Sequence, residues 1–197
     1  MAGPKMISVE ISMYDSCSAA DKELVSYMMS FAKDDKESRE KTINNVMVLI
    51  AAGPETTTSW LCATLYYALT NPSVLSKLCS EIRSSAQDVS DLNLDLLYNM
   101  TYLKACMDES IRIYPPVPGT LTRIVPKGGA YIYGKHLPEK TVVGVNQWAT
   151  YHNANNFKHP DDFRPERWLD GNNEYATDHR NTLQPFSYGP RKCIASE

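Results

Sequence analysis

Four stretches of this chain carry residue types that could do chemistry. The first is Phe186-Ser187-Tyr188-Gly189-Pro190-Arg191-Lys192-Cys193. A cysteine closing a tight Gly-Pro loop suits a thiolate metal ligand. Glycine lets the backbone turn, and loop N–H groups can point at the sulfur. Arg191 adds positive charge that favours thiolate or binds an anionic cofactor group, and the Phe186 ring screens the sulfur from water. A lone cysteine is otherwise a small buried hydrophobe. Second, Glu109 and Arg112 lie three apart, on one face of a helix. Alone, such a pair is a surface ion pair worth about 0.3–0.5 kcal/mol. Third, Pro165-Glu166-Arg167-Trp168 brings another arginine, whose planar fork could share the Glu109 carboxylate; by itself it too reads as surface charge. Fourth is Ala52-Gly53-Pro54-Glu55-Thr56-Thr57. Its small pair lets a bulky ligand approach the backbone, and an acid beside an alcohol relays protons. The plain alternative is a helix with a packing glycine and ordinary polar residues.

The elements that must hold these groups follow from periodicity. The chain has 197 residues, 43% hydrophobic and 22% charged, which is the composition of a folded protein with a sizeable core. Twenty basic against 23 acidic residues argue against nucleic acid as a partner. No apolar run reaches bilayer length, so no membrane segment is expected in this chain. Residues 1–10 lack the order of a signal peptide. Five scattered cysteines suggest a reducing compartment rather than a disulfide framework. The absence of CxxC and HExxH argues against structural zinc. His136, His152, His159 and His179 have no spaced partner that would make a metal site or triad.

Ser18–Ala32 reads as a short amphipathic helix, and Lys33–Lys41, with eight charged residues in nine, as a solvated connector. Thr42–Leu69 reads as one long helix with Pro54 inside it. Apolar residues nearly encircle its stretch Ile43–Ala52, which predicts burial on all sides. Asn71-Pro72 opens a helix running to about Ala86, with asparagine as its cap. Leu92–Met100 holds a short helical turn. Thr101 caps a helix over Tyr102–Tyr114, stopped by Pro115-Pro116. Short strands are expected at Ala130–Tyr133 and Thr141–Asn146, and residues 150–197 as ordered functional coil. The fold class is mainly α with small β-sheets (α+β), in one partial domain: 1–41 helix and charged connector, 42–116 three helices, 117–150 a small β region, 151–197 coil and ligand loop.

Taken in order, the four motifs resemble the cytochrome P-450 family of haem-thiolate monooxygenases. That family runs from an acid–threonine site on its central I helix to ExxR on its K helix, then PERF, then Phe-x-x-Gly-x-Arg-x-Cys. The corresponding residues are Glu55-Thr56, Glu109/Arg112, Pro165–Trp168 and Phe186–Cys193, so the match covers about Ile43–Cys193. The texture is similar to fungal members that oxidise secondary metabolites or xenobiotics. The resemblance implies a partial P-450 fold, from the I helix to the cysteine-ligand loop. It implies haem b as cofactor, with Cys193 as the proximal iron ligand, a position in which thiolate favours O–O cleavage. Arg191 and Arg123 would pair with haem propionates, Phe186 would pack near the sulfur, and Gly189 would shape the loop. Glu55 and Thr56 would deliver protons on the oxygen side. Glu109, Arg112 and Arg167 would be structural, fixing the coil before the cysteine. Ala52, Val117, Pro118 and Gly119 fall where the family lines its substrate pocket. The implied reaction inserts one oxygen atom of O2 into an apolar organic substrate, with electrons from NADPH through a separate reductase.

The chain also departs from the pattern. It begins just before the I helix, so the family's membrane anchor, which holds full-length eukaryotic members at the endoplasmic reticulum, has no counterpart. Position 195 is Ala where the family has Gly, and four residues after Cys193 cannot hold its L helix. Faces that pack on the rest of the family fold are expected to be exposed. Two other readings stand beside the first: a truncated, non-catalytic fragment of such an enzyme, and a helical interaction module in which Glu109/Arg112 is a surface pair and Cys193 is inert.

Overall fold

The computed structural model describes residues 26–28, 30 and 36–196. Most of the helix expected at Ser18–Ala32 lies outside these residues, as does Cys17; residues 26–28 are helical. The chain divides into two compact units, 1–55 and 56–197, each described by itself.

In the first unit the dominant element is the N-terminal part of helix α1, Lys36–Thr70. The helix starts inside the stretch expected to be a connector. Its charges sit at helical spacing: Lys41 Nζ donates to Glu37 Oε1 at 2.5 Å, one turn away, and such pairs support a helix rather than a solvated link. All-round burial of Ile43–Ala52 is not found. Val46 is 2% exposed, whereas Val48 is 64% exposed.

The second unit packs the C-terminal part of α1 against α2 (Pro72–Ser85) and α4 (Thr101–Ile113), with the short α3 (Leu94–Asn99) between the latter two. Val74, Leu78 and Ile82 recur every four residues on α2, and Tyr102 and Cys106 do so on α4. These faces close on Ala68, Ile113 and Phe163, and the Tyr67 and Phe163 rings stack at 4.9 Å. Burial in this core, with the Glu166 and Glu81 charges nearby, raises the Cys106 thiol pKa to about 12, so this cysteine is inert. Exposed apolar side chains remain on α1, among them Leu61, Leu65, Tyr66 and Leu69.

Both expected caps act differently from their sequence reading. Asn71 stands at the N-cap position of α2 but its side chain caps nothing there. Its Nδ2 donates to the Tyr67 carbonyl at 2.8 Å, sealing the end of α1. Thr101 is the first residue of α4, not its cap. The cap comes from α2: Glu81 accepts the Tyr102 and Leu103 N–H groups, each at 2.8 Å, and the Thr101 hydroxyl at 3.3 Å. A carboxylate at a helix N-terminus also meets the positive end of the dipole. Glu81→Ala is expected to cost about 1–2 kcal/mol, lowering the thermal midpoint by roughly 2–8 °C in a chain of this size. Circular dichroism at the helical band reads this directly, and an unmoved midpoint would show water replacing the cap at no cost.

Beyond α4, β1 (Arg123–Ile124) pairs antiparallel with β4 (Val142–Val143), and β2 (Ala130–Ile132) with β3 (Lys135–Leu137). The strand expected to reach Tyr133 stops at Ile132. Tyr133 and Gly134, at φ 51° and 75°, make the two-residue turn that matches strand twist. The strand expected over Thr141–Asn146 is two residues long, with an isolated bridge from Asn146 to Thr120. Helix α5 (Gln147–Tyr151) follows. From 152 onward the described chain is coil with single 3-10 turns, at Pro165–Trp168, Asn173–Tyr175, Arg180–Thr182 and Gly189–Arg191. Among the described residues, no helix is long and apolar enough to cross a membrane.

Candidate functional site

Helix α4 presents Glu109 and Arg112 inward, and the Pro165–Trp168 turn brings Arg167 to the same carboxylate. All three side chains are 0% exposed, which overturns their reading as surface charge. Glu109 Oε1 accepts from Arg112 NH2 (2.8 Å), Arg167 Nε (3.0 Å) and the Arg164 N–H (2.9 Å). Its Oε2 accepts from Arg112 Nε (2.9 Å) and the Trp168 indole (2.9 Å). A carboxylate offers about four lone-pair sites, so this one is saturated. Arg112 spends its remaining donors on the carbonyls of Tyr151 (2.8 Å), Pro160 (2.7 Å) and Asp162 (3.2 Å). Arg167 holds the Lys158 and His159 carbonyls and pairs with Asp178. The two guanidiniums therefore fix the backbone of 151–162 from the inside.

That backbone leads to the cysteine loop. The Tyr151 hydroxyl accepts the Gln184 N–H at 3.0 Å, and Gln147 Nε2 donates to the Gln184 carbonyl at 3.3 Å. Helix α5 thus anchors the loop entrance. Within the loop, Ser187 donates its N–H to the Gln184 carbonyl, Lys192 to Gly189, and Cys193 to Phe186 at 2.8 Å. The Lys192 and Cys193 N–H groups are thus spent on carbonyls rather than aimed at sulfur. Gly189 stands at φ 80°, with nothing within 4 Å of where a Cβ would sit. Glycine is used here for its left-handed backbone, not to avoid a clash. Phe186 is half-buried, whereas Gly189, Arg191 and Cys193 are exposed at the protein surface.

Arg123 on β1 reaches this loop. One guanidinium nitrogen donates to Ser187 Oγ at 3.1 Å and another to its neighbour Thr122's carbonyl at 2.9 Å. A cavity of about 570 Å³ opens here, lined by Arg123, Ile132, Val143, Tyr151, Ser187 and Tyr188 among others. An exposed thiol and an arginine at a largely apolar hollow are the group types that a haem's iron and a propionate require; Arg123 lines the hollow, and Cys193 is not among its lining residues. Val117, Pro118 and Gly119 form the exposed segment after α4. The carbonyls of Pro118 and Gly119 accept the Trp148 and Gln147 N–H groups at 3.0 and 3.5 Å, tying this segment to α5. Ala52, Glu55 and Thr56 lie on α1; Ala52 and Glu55 are exposed and Thr56 is half-buried.

Several site residues carry no signal in the sequence. Phe157, wholly buried, packs against the guanidiniums of both Arg112 (5.2 Å) and Arg167 (5.7 Å), and Tyr175 covers Arg167 at 4.8 Å. Such cation–π contacts gain strength when desolvated. Asp178 also accepts the Lys158 N–H at 2.8 Å. These residues come from coil without periodicity, so no pattern marks them. Trp168 was open to detection: a Trp at the last position of Pro-Glu-Arg-x adds an indole donor that a Phe lacks.

A sequence model of the family described as Cytochrome P450 matches residues 8–195. The chain is 44% identical over 163 residues to cytochrome P450 monooxygenase traB of Penicillium crustosum, covering 82% of this chain and 32% of that protein. It is 42% identical to an averantin hydroxylase of Dothistroma septosporum, covering 81% of this chain and 30% of that one. Against cytochrome P450 monooxygenase astJ of Aspergillus oryzae the figures are 39%, 87% and 35%. The chain thus spans about a third of the length of the curated relatives it matches.

Proposed function

Because the chain belongs to the cytochrome P450 family, and has part of that family's fold, we propose that it is the iron-ligating part of a haem-thiolate monooxygenase. The observation that carries this reading is the loop Phe186–Cys193, closed by its own hydrogen bonds with the Cys193 thiol exposed and joined to Arg123 through Ser187. Cys193 would hold the iron of haem b. Arg123 and Arg191 would hold its propionates, for which a planar cation is well suited. Phe186 shields the sulfur and Gly189 sets the loop. When bound, the haem supplies activation of O2, with thiolate electron donation favouring O–O cleavage.

The chain's own residues do the rest. Thr56 and Glu55 hold and pass protons on the oxygen side, the alcohol at its Oγ1 and the acid at its carboxylate. Glu109, Arg112 and Arg167 keep the coil that leads to Cys193 in one arrangement. Val117, Pro118 and Gly119 would line the space for an apolar organic substrate. One oxygen atom of O2 would enter a substrate C–H bond and the other would leave as water, with two electrons from NADPH through a separate reductase and two protons, one carried by NADPH and one taken from solvent. The hydroxylase among the relatives supports hydroxylation as the outcome.

The test is spectroscopic. The chain is loaded with haem, reduced and exposed to carbon monoxide. A Soret band red-shifted as thiolate ligation requires is the expected result. Bound haem with an unshifted band rejects the reading.

A further inference from the structure

We infer that Trp60 is a positioning residue for Thr56: its indole N–H clamps the turn of α1 that carries Thr56 onto α4, beside Glu109. What Thr56 does rests on the monooxygenase reading; the clamp rests on geometry alone. Trp60 follows Thr56 by four residues and so lies on the same face of α1. Its Nε1 donates to the Met107 carbonyl at 2.9 Å and is shared with Ser110 Oγ at 3.1 Å. Ser110, 0% exposed, is the neighbour of Glu109. Its hydroxyl lies 2.6 Å from Thr64 Oγ1 and 2.8 Å from the Met107 carbonyl, and Thr64 Oγ1 lies 2.9 Å from the Trp60 carbonyl. Two hydroxyl protons thus serve three oxygen contacts. The indole N–H adds a third donor to this node, shared between the Met107 carbonyl and Ser110 Oγ.

The need for a clamp follows from Pro54. Proline has no N–H to donate to the Ile50 carbonyl, so α1 carries one helix bond fewer just before this turn. On the C-terminal side of the Thr56 turn, Trp60 and Thr64 bond α4. A helix is stiff over the single turn between Thr56 and Trp60, roughly 6 Å, so a fixed indole fixes the threonine.

Trp60→Phe keeps the ring and removes the N–H. In the haem-loaded protein, hydrogen exchange at amides 56–60 is expected to quicken about five- to tenfold, the size of one hydrogen bond. Amides 109–113 should change less than twofold. With reductase and NADPH, peroxide released per NADPH should at least double while the carbon monoxide band keeps its position. Unchanged exchange at 56–60, uniform quickening along the chain, or local quickening with an unaltered peroxide ratio would each overturn the inference. If Trp60→Phe does not fold, Thr64→Val serves instead and must quicken the same amides at least threefold; a smaller effect overturns the clamp. A wild-type protein without the red-shifted band would end the monooxygenase reading, while the exchange pattern would still decide the clamp.

Discussion

Glu109→Ala should destabilise the chain by about 3–5 kcal/mol, the cost of breaking a buried ion pair and stranding its partners. Two guanidiniums lose their shared carboxylate, and the Arg164 N–H and Trp168 indole lose their acceptor. In a chain of this size the thermal midpoint should fall by roughly 6–20 °C, against a total stability of about 5–15 kcal/mol. Glu109→Gln separates charge from volume: it fills the same space but leaves Arg112 without a counter-charge and Arg167 with Asp178 alone, so most of the loss should remain. Urea unfolding of the three proteins measures this. A loss below about 1 kcal/mol, the size of an exposed pair, would mean that the network does not organise the coil.

Cys193→His should retain haem and lose the red shift of the carbon monoxide complex completely. Imidazole is a competent proximal ligand, but it does not donate charge as thiolate does. The loop tolerates the exchange, because the Cys193 side chain is exposed and its N–H bond to the Phe186 carbonyl belongs to the backbone. Haem content by pyridine haemochrome and band position by difference spectroscopy separate ligand identity from loss of binding. A red shift that survives in Cys193→His would assign the ligand to another sulfur, with exposed Cys62 and half-buried Cys79 as the candidates among the described residues.

The two expectations differ in how far they could be read from sequence. Glu109 and Arg112 at spacing three are visible in the chain, and so is Arg167. Their burial is not, since burial depends on Phe157, Tyr175 and Asp178 arriving from coil that has no period. The helices were readable because α2 and α4 repeat their apolar residues every four positions. Their caps were not. Asn71 and Thr101 have the right types at the right places, yet the first bonds back to the Tyr67 carbonyl and seals α1, and Glu81 reaches across from α2 to displace the second. A tertiary contact thus overrode a local preference. The loop Phe186–Cys193 was marked by fixed residue types, which a ligand site requires, whereas its anchors Gln147 and Tyr151 are ordinary residues on a five-residue helix. All-round apolarity over Ile43–Ala52 predicted burial that the described residues do not supply, because periodicity reports which faces are apolar and not what covers them.

X-ray absorption at the iron edge of the haem-loaded chain tests the central claim most directly. Beside the four porphyrin nitrogens, one sulfur scatterer should appear in the iron's first shell, and it should vanish in Cys193→His. A first shell of nitrogen and oxygen alone in the unaltered chain would contradict the account.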